Sequence, residues 1–151
     1  MSDLALYRRS DGNFDLAFDE DKGDLLTTDS LENAVIVSIG SYARERKLGR
    51  AANLKPCVGG WWGDAIDDKG TLGGYLYEAF PGKLNDDTAR LVEKLVDESL
   101  EWMVDDSAVK SVSSSAAVDG ESVAVAVVIA ANSGDDERFD YSFKWGVTDG
   151  I

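Results

Sequence analysis

Alternating apolar and polar side chains mark strands at both ends of the chain. Phe14, Leu16 and Phe18 alternate with Asp15, Ala17 and Asp19, the period-two pattern of a half-buried strand. LALY at residues 4–7 supplies a partner strand, with Asp11-Gly12 as the turn between them. At the other end, SVSSSAAV and ESVAVAVVIA flank Asp119-Gly120, the strongest hairpin signal in the chain. Val123, Val125, Val127 and Ile129 line one face of the second strand, and Ala124, Ala126 and Ala130 the other. A two-residue Asp119-Gly120 loop sets Val118 opposite Glu121, Ala116 opposite Val123 and Val112 opposite Val127. The closing RFDYSFKW sets Phe139, Tyr141, Phe143 and Trp145 on one face, with Arg138, Asp140, Ser142 and Lys144 on the other. Four aromatics in a row would form a patch that soluble monomers rarely leave open. That face is therefore expected to be buried, against a helix over residues 91–103.

Between the strand regions the period changes to 3.6. Asp29 and Glu32 make a capping-box-like start, and Leu31, Ala34, Val35, Ser38, Ile39 and Tyr42 then share a helix face. Arg44, Arg46 and Lys47 crowd the expected last turn, where the helix dipole favours cations, and Gly49 follows as a C-cap. TLGGYLYEAFPG suggests a short helix with Leu72, Tyr75, Leu76, Ala79 and Phe80 on one side and Pro81 at its end. A stronger helix follows. Asn85 caps it, Asp86 and Asp87 occupy its first turn, and Leu91, Val92, Leu95, Val96 and Met103 form its stripe. No repeat, low-complexity segment or interior linker interrupts residues 1–151. The expectation is one α+β domain: an N-terminal β-hairpin, central helices, then a C-terminal antiparallel hairpin and final strand in one sheet.

A length of 151 residues suits a single domain with its own core. The net charge of −14 narrows the partners, because nucleic acid and anionic membranes would both repel the chain. Cys57 is the only cysteine, so neither an intrachain disulfide nor a thiolate zinc site can form. The sequence has no histidine, which removes the commonest general base and every Ser-His or Cys-His pair. Catalysis here would have to run on carboxylates, Lys, Tyr or Ser. The start, MSDLALYRRSD, lacks a signal-peptide pattern, and the longest apolar run, residues 123–131, is too short for a membrane helix. A soluble chain made in a reducing cytoplasm is the expectation.

Two stretches invite chemistry. DEDKGD looks like a calcium loop, but its glycine falls one place early and Ser30 stands where a bidentate glutamate belongs; an acidic turn is the better reading. GGWWGDAIDDKG at residues 59–70 sets Trp61 and Trp62 side by side between glycines. Beside Asp64, Asp67, Asp68 and Glu78 they suggest a carbohydrate cleft with paired carboxylates, but nothing in the sequence fixes the separation such a pair needs. Burying one tryptophan removes on the order of 200 Å² from water, very roughly 5 kcal/mol before entropy. Adjacent rings do not easily share one pocket, and flanking glycines allow turns that aim them apart. One ring is expected in the core, with preference for Trp62, and the other at a partner interface.

The order of LALY, GDL before a capped helix, GGWWGDAI, a helix ending EWMVDD and a closing FDYSFKW resembles the Mu-type phage baseplate protein family. That family is a small wedge component of contractile tails. It is similar in turn to sheath-initiator proteins, whose fold has a lysozyme-like name without implying lysozyme activity. The resemblance spans essentially the whole chain, and GWWGD is its specific motif. It implies a virion protein of the tail baseplate, assembled in the host cytoplasm in multiple copies within a symmetric structure. No enzymatic activity, cofactor or metal is implied. Its partners would be other wedge proteins and the tail sheath, with no nucleic acid and no membrane. Trp61, Trp62, Gly63 and Asp64 match the motif and would be structural or wedge-facing. The strand bearing Phe139, Tyr141, Phe143 and Trp145 would be the sheath-facing edge, to which sheath strands add. The Glu-Pro-Arg signature of the better-known sheath initiators is absent. The rival class is a carboxylate-based cell-wall glycoside hydrolase of a phage tail.

Overall fold

The computed structural model describes residues 3–10, 13–43, 72–132 and 134–145. The chain divides into two compact units, Met1–Ile36 and Val37–Ile151.

In the first unit three short extended segments each change partner halfway along. They contain β1 (Asp3–Leu4) and β2 (Leu6–Arg8), β3 (Phe14–Leu16) and β4 (Phe18–Asp19), β5 (Asp24–Leu25) and β6 (Thr27–Thr28). β2 pairs with β3, β4 with β5 and β1 with β6, all antiparallel. The switch points form a ring of hydrogen bonds. Ala5 N donates to Leu26 O (2.8 Å), Leu26 N to Ala17 O (2.9 Å) and Ala17 N to Ala5 O (2.9 Å). The expected hairpin is present as β2 and β3, and a third segment that periodicity did not mark completes the ring. The DEDKGD stretch is the turn into that segment. One Asp19 carboxylate oxygen accepts from the amides of Asp21 and Lys22 (3.1 and 3.2 Å), and Gly23 adopts φ +67°. Cross-strand partners share a face, so Leu6, Arg8, Phe14 and Leu16 lie on one side of β2 and β3 with Tyr7 and Asp15 on the other, and Phe18 and Leu25 lie on one side of β4 and β5 with Asp19 and Asp24 on the other. The half-buried expectation fails here: Phe14, Leu16 and Phe18 are 39%, 43% and 55% exposed.

Helix α1 (Glu32–Gly40) starts one residue away from the expected cap, the Ser30 hydroxyl accepting from the Glu32 amide at 3.2 Å. Val35, Ser38 and Ile39 are buried, as their spacing requires. The helix then stops at Gly40, shorter than expected. Tyr42 leaves its face, forms a single parallel bridge to Gly74 and lies edge-on to Tyr77. Arg44, Arg46, Lys47 and Gly49 lie outside the described residues.

The glycine pair explains why the next helix is also shorter. Gly73 has φ +92°, and a Cβ there would stand 2.6 Å from Ser41 O. A Cβ on Gly74 would collide with the Ser99 side chain. The pair lets two backbones cross, and only a 3-10 turn, Leu76–Glu78, follows. Leu76 and Ala79 are buried, whereas Leu72 and Phe80 are exposed.

Helix α2 (Asp86–Asp105) is capped by Asn85, whose side chain accepts from the Thr88 amide at 2.8 Å. Val92, Leu95, Val96 and Met103 are buried as expected, joined by Ala89, Ser99 and Leu100. Leu91 is a correction: it is 39% exposed, at the margin of the stripe.

A three-stranded antiparallel sheet closes the chain in the order β7 (Val109–Asp119), β8 (Ser122–Ala131), β9 (Glu137–Lys144). Val123, Val125, Val127 and Ile129 are at most 1% exposed, so the predicted inner face is right. The predicted register is displaced by two residues. Val118 faces Val123, Ala116 faces Val125 and Val112 faces Ile129. The two loop residues are Gly120 and Glu121, with Gly120 at φ +58° in the first loop position. Glycine leads the loop, as a type II′ turn requires, instead of following aspartate in a type I′ turn. A shift of two preserves which face each side chain occupies, so the core is unaffected.

Candidate interface site

The two long edges of the C-terminal sheet differ. In β7 the residues with outward-pointing amides include Ser114 and Ala116, and carboxylates of α2 take both. Asp97 Oδ1 accepts from Ser114 N (2.9 Å) and Ser114 Oγ (2.6 Å), and Glu93 Oε2 accepts from Ala116 N (3.0 Å). Two carboxylates one helical turn apart thus occupy the donors that an incoming strand would need. Sequence reasoning passed over them, because acidic residues beside an apolar stripe read as a solvated rim.

On β9 the ladder runs the other way. Trp145 N donates to Glu121 O at 2.8 Å, in the same register that pairs Phe143 with Val123, Tyr141 with Val125 and Phe139 with Val127. The odd-numbered residues therefore turn their backbone groups toward β8. Arg138, Asp140, Ser142 and Lys144 turn theirs outward. The side chains of these four form an exposed polar row. Arg138 meets Asp140 at 2.8 Å; hydrogen bonding and charge hold the Asp140 carboxyl below its ordinary range and push the Arg138 guanidinium up.

Phe139, Tyr141, Phe143 and Trp145 lie together on the inner face, each half-buried. The expected helical cover is not what meets their C-terminal end. Phe80 packs against Phe143 (6.5 Å between ring centroids) and Trp145 (5.1 Å), and Trp145 Nε1 donates to Gly82 O at 2.8 Å. Phe80 itself remains 42% exposed, which leaves an aromatic margin beside the β9 edge. Trp61, Trp62, Gly63 and Asp64 lie outside the described residues, as do Asp67 and Asp68. Elsewhere in the same unit, Trp102 Nε1 donates to the Ser38 hydroxyl at 3.0 Å, tying α2 to the end of α1.

Among the described residues, no three His, Cys, Asp or Glu side chains gather as a metal site, and no helix is long and apolar enough to cross a membrane. Sheet edges and half-buried aromatic rings are the prominent features of this small α+β protein. Within that class the chain belongs to the phage protein GP46 family, whose pattern matches residues 31–136. It is 32% identical over 113 residues to the Mu-like prophage FluMu protein gp46 of Haemophilus influenzae, covering 74% of this chain and 73% of that protein. It is 31% identical over 103 residues to the baseplate protein gp46 of Escherichia phage Mu, covering 68% of each. The family span takes in α1, α2, β7 and β8. It leaves out β1 to β5, β6 and the whole of β9.

Proposed function

We propose that this chain is a structural, non-enzymatic component of a contractile phage tail baseplate, joining wedge proteins and helping to initiate the sheath. Family membership and a relative named as a baseplate protein support the baseplate role. The observation that carries the finer reading is the contrast between sheet edges. Carboxylates occupy β7 donors, whereas β9 offers outward backbone groups beside an aromatic margin, so a sheath strand would add at β9. The chain acts in this reading as one domain in several symmetric copies. It is assembled in the host cytoplasm and carried in the virion tail. A density map of the assembled tail tests it: a sheath strand on β9 is expected, and a sheath that joins elsewhere would sink the assignment.

Trp61 and Trp62 enter this proposal as a divided pair, one in the core and one against a wedge protein. Alanine at the core position, assigned to Trp62, is expected to cost about 3 to 5 kcal/mol. Alanine at Trp61 should leave the melting temperature near the parent value but weaken incorporation into baseplates, as loss of an aromatic hot spot does. Equal destabilisation by both, with no separate effect on assembly, would make the loop a core plug only. The hydrolase alternative is separated by turbidity of purified peptidoglycan. No lysis is expected; lysis abolished by Asp64→Asn would overturn the structural reading.

A further inference from the structure

The outer face of the C-terminal sheet is one continuous surface, since β7, β8 and β9 are hydrogen-bonded to one another in that order. The register fixes its side chains, which alternate with the buried row of Val123, Val125, Val127 and Ile129. This face is not level. On the β7 side stand the short, exposed Ser113, Ser115 and Ala117; on the β9 side stand the long, exposed Arg138 and Lys144. Between them β8 offers only Ala124, Ala126 and Val128, and a depression of about 250 Å³ lies over Ser115, Ala117 and the two alanines, bounded by Arg138 and Asp140. Charge is divided by edge as well. Asp119 of β7, Ser122 of β8 and Lys144 of β9 form one cross-strand row, with an acid at one end and a base at the other. We propose that in the free protein this face pairs with the same face of a second copy, about a two-fold axis running along β8.

Such an axis lays β7 of each copy over β9 of the other. High edge then meets low edge: Arg138 and Asp140 come over the second copy's Ser113 and Ser115, on the low side of its depression. Opposite charges meet too. Asp119 faces the second copy's Lys144, and Lys144 faces its Asp119, so one row yields an ion pair at each end. Along the axis Ala124 and Ala126 meet their own counterparts, where larger side chains would hold the sheets apart. The Arg138–Asp140 pair is already closed, Nη2 donating to Oδ1 at 2.8 Å and Nε to Oδ2 at 3.1 Å, so covering it strands neither charge. From the Ser113 row to the Asp119 row the face carries Arg138 and Lys144 against Asp119 and Asp140, a net of zero on a chain of −14. Repulsion between the two copies therefore comes from outside the face and keeps the association weak. No apolar side chain larger than Val128 stands in these rows, so an unrelated apolar surface has little to grip. The match of shape and charge under one rotation is what selects a second copy. It leaves the outward backbone groups of β9 at their edge and stands apart from the baseplate reading.

Sedimentation equilibrium of the full-length chain, from about 10 μM to about 1 mM, tests the pairing and should show a reversible monomer–dimer equilibrium. Lys144→Asp sets acid over acid and should weaken it at least about tenfold, as should Asp119→Lys, which sets base over base. The double exchange Asp119→Lys/Lys144→Asp rebuilds both ion pairs with their signs reversed and should return association to within about threefold of the parent. All three variants change exposed side chains and should melt within about 3 °C of the parent. A second measurement alters no charge: Cys57→Ser/Ser122→Cys, treated with a short bis-maleimide, should give a covalent dimer in higher yield than Cys57→Ser/Glu98→Cys on α2. Five results would overturn the proposal. They are a chain that stays monomeric at the highest concentration, single variants that dimerise like the parent, a double exchange as weak as the singles, a collapse of melting temperature in the variants, or a yield at position 122 no greater than at position 98.

Discussion

The N-terminal strand unit and the C-terminal sheet begin from the same sequence rule and end in different places. Both alternate apolar and polar residues, yet Val123, Val125, Val127 and Ile129 are closed from water while Phe14, Leu16 and Phe18 are not. What differs is the company each keeps. The C-terminal sheet is followed along β7 by a twenty-residue helix with its own apolar stripe, and the two seal each other. The N-terminal segments are two and three residues long between partner changes. Period two therefore says which side chains share a face; it does not say what will cover them.

The largest test of that contrast pairs Leu100→Ala with Phe18→Ala. Leu100 is fully buried in α2, and its truncation should cost about 2 to 5 kcal/mol in urea unfolding. Phe18, more than half exposed, should cost under about 1 kcal/mol. Similar losses at both positions would mean that the N-terminal face is as internal as the C-terminal one.

A smaller effect is expected from Asp97→Ala, which removes the acceptor of Ser114 N and Oγ. The loss should be about 1 kcal/mol, with faster hydrogen exchange at the Ser114 amide and more self-association through the uncovered β7 edge. Unchanged exchange at Ser114 would show that the carboxylate does not guard that edge.

The smallest effect is electrostatic. The Asp140 carboxyl is held below its ordinary value by Arg138, and Asp3 is lowered by the side chain of Asn33. A depressed carboxyl favours the folded state above its unfolded value, near 3.8 for both, and that contribution fades as pH falls through the lowered folded value. Acid unfolding should therefore become slightly easier below about pH 4. Arg138→Ala should raise the Asp140 titration midpoint in an NMR titration and leave neutral-pH stability nearly unchanged. An unmoved midpoint would dissociate the pair.

Much of the fold was legible because strong local signals agreed with the tertiary structure. Asn85 with its acidic first turn announced α2, and four alternating branched residues announced β8. The misses have physical causes. The loop is Gly120-Glu121 instead of Asp119-Gly120, and moving it one residue along the chain shifts the register by two, since type I′ and type II′ turns place glycine differently. Gly73 and Gly74, at the start of a stretch expected to be a short helix, serve a close approach to Ser41 and Ser99, which no local pattern reveals. Leu100 was left out of the stripe although it is fully buried, and Leu91 was included although it sits at the margin. For the interface, the alternation of Phe139 to Phe143 located the strand. The β7 guard was invisible because it depends on which edge α2 lies along.

The ring that links Ala5, Ala17 and Leu26 has a mechanical consequence. In a simple hairpin, tension applied at one end opens the ladder a bond at a time, like a zipper. Here each segment is tied to both others, so tension on any one of them is divided between two ladders that run in different directions. Proline at position 17 would delete one amide of the ring and turn a three-way node into a chain of hinges.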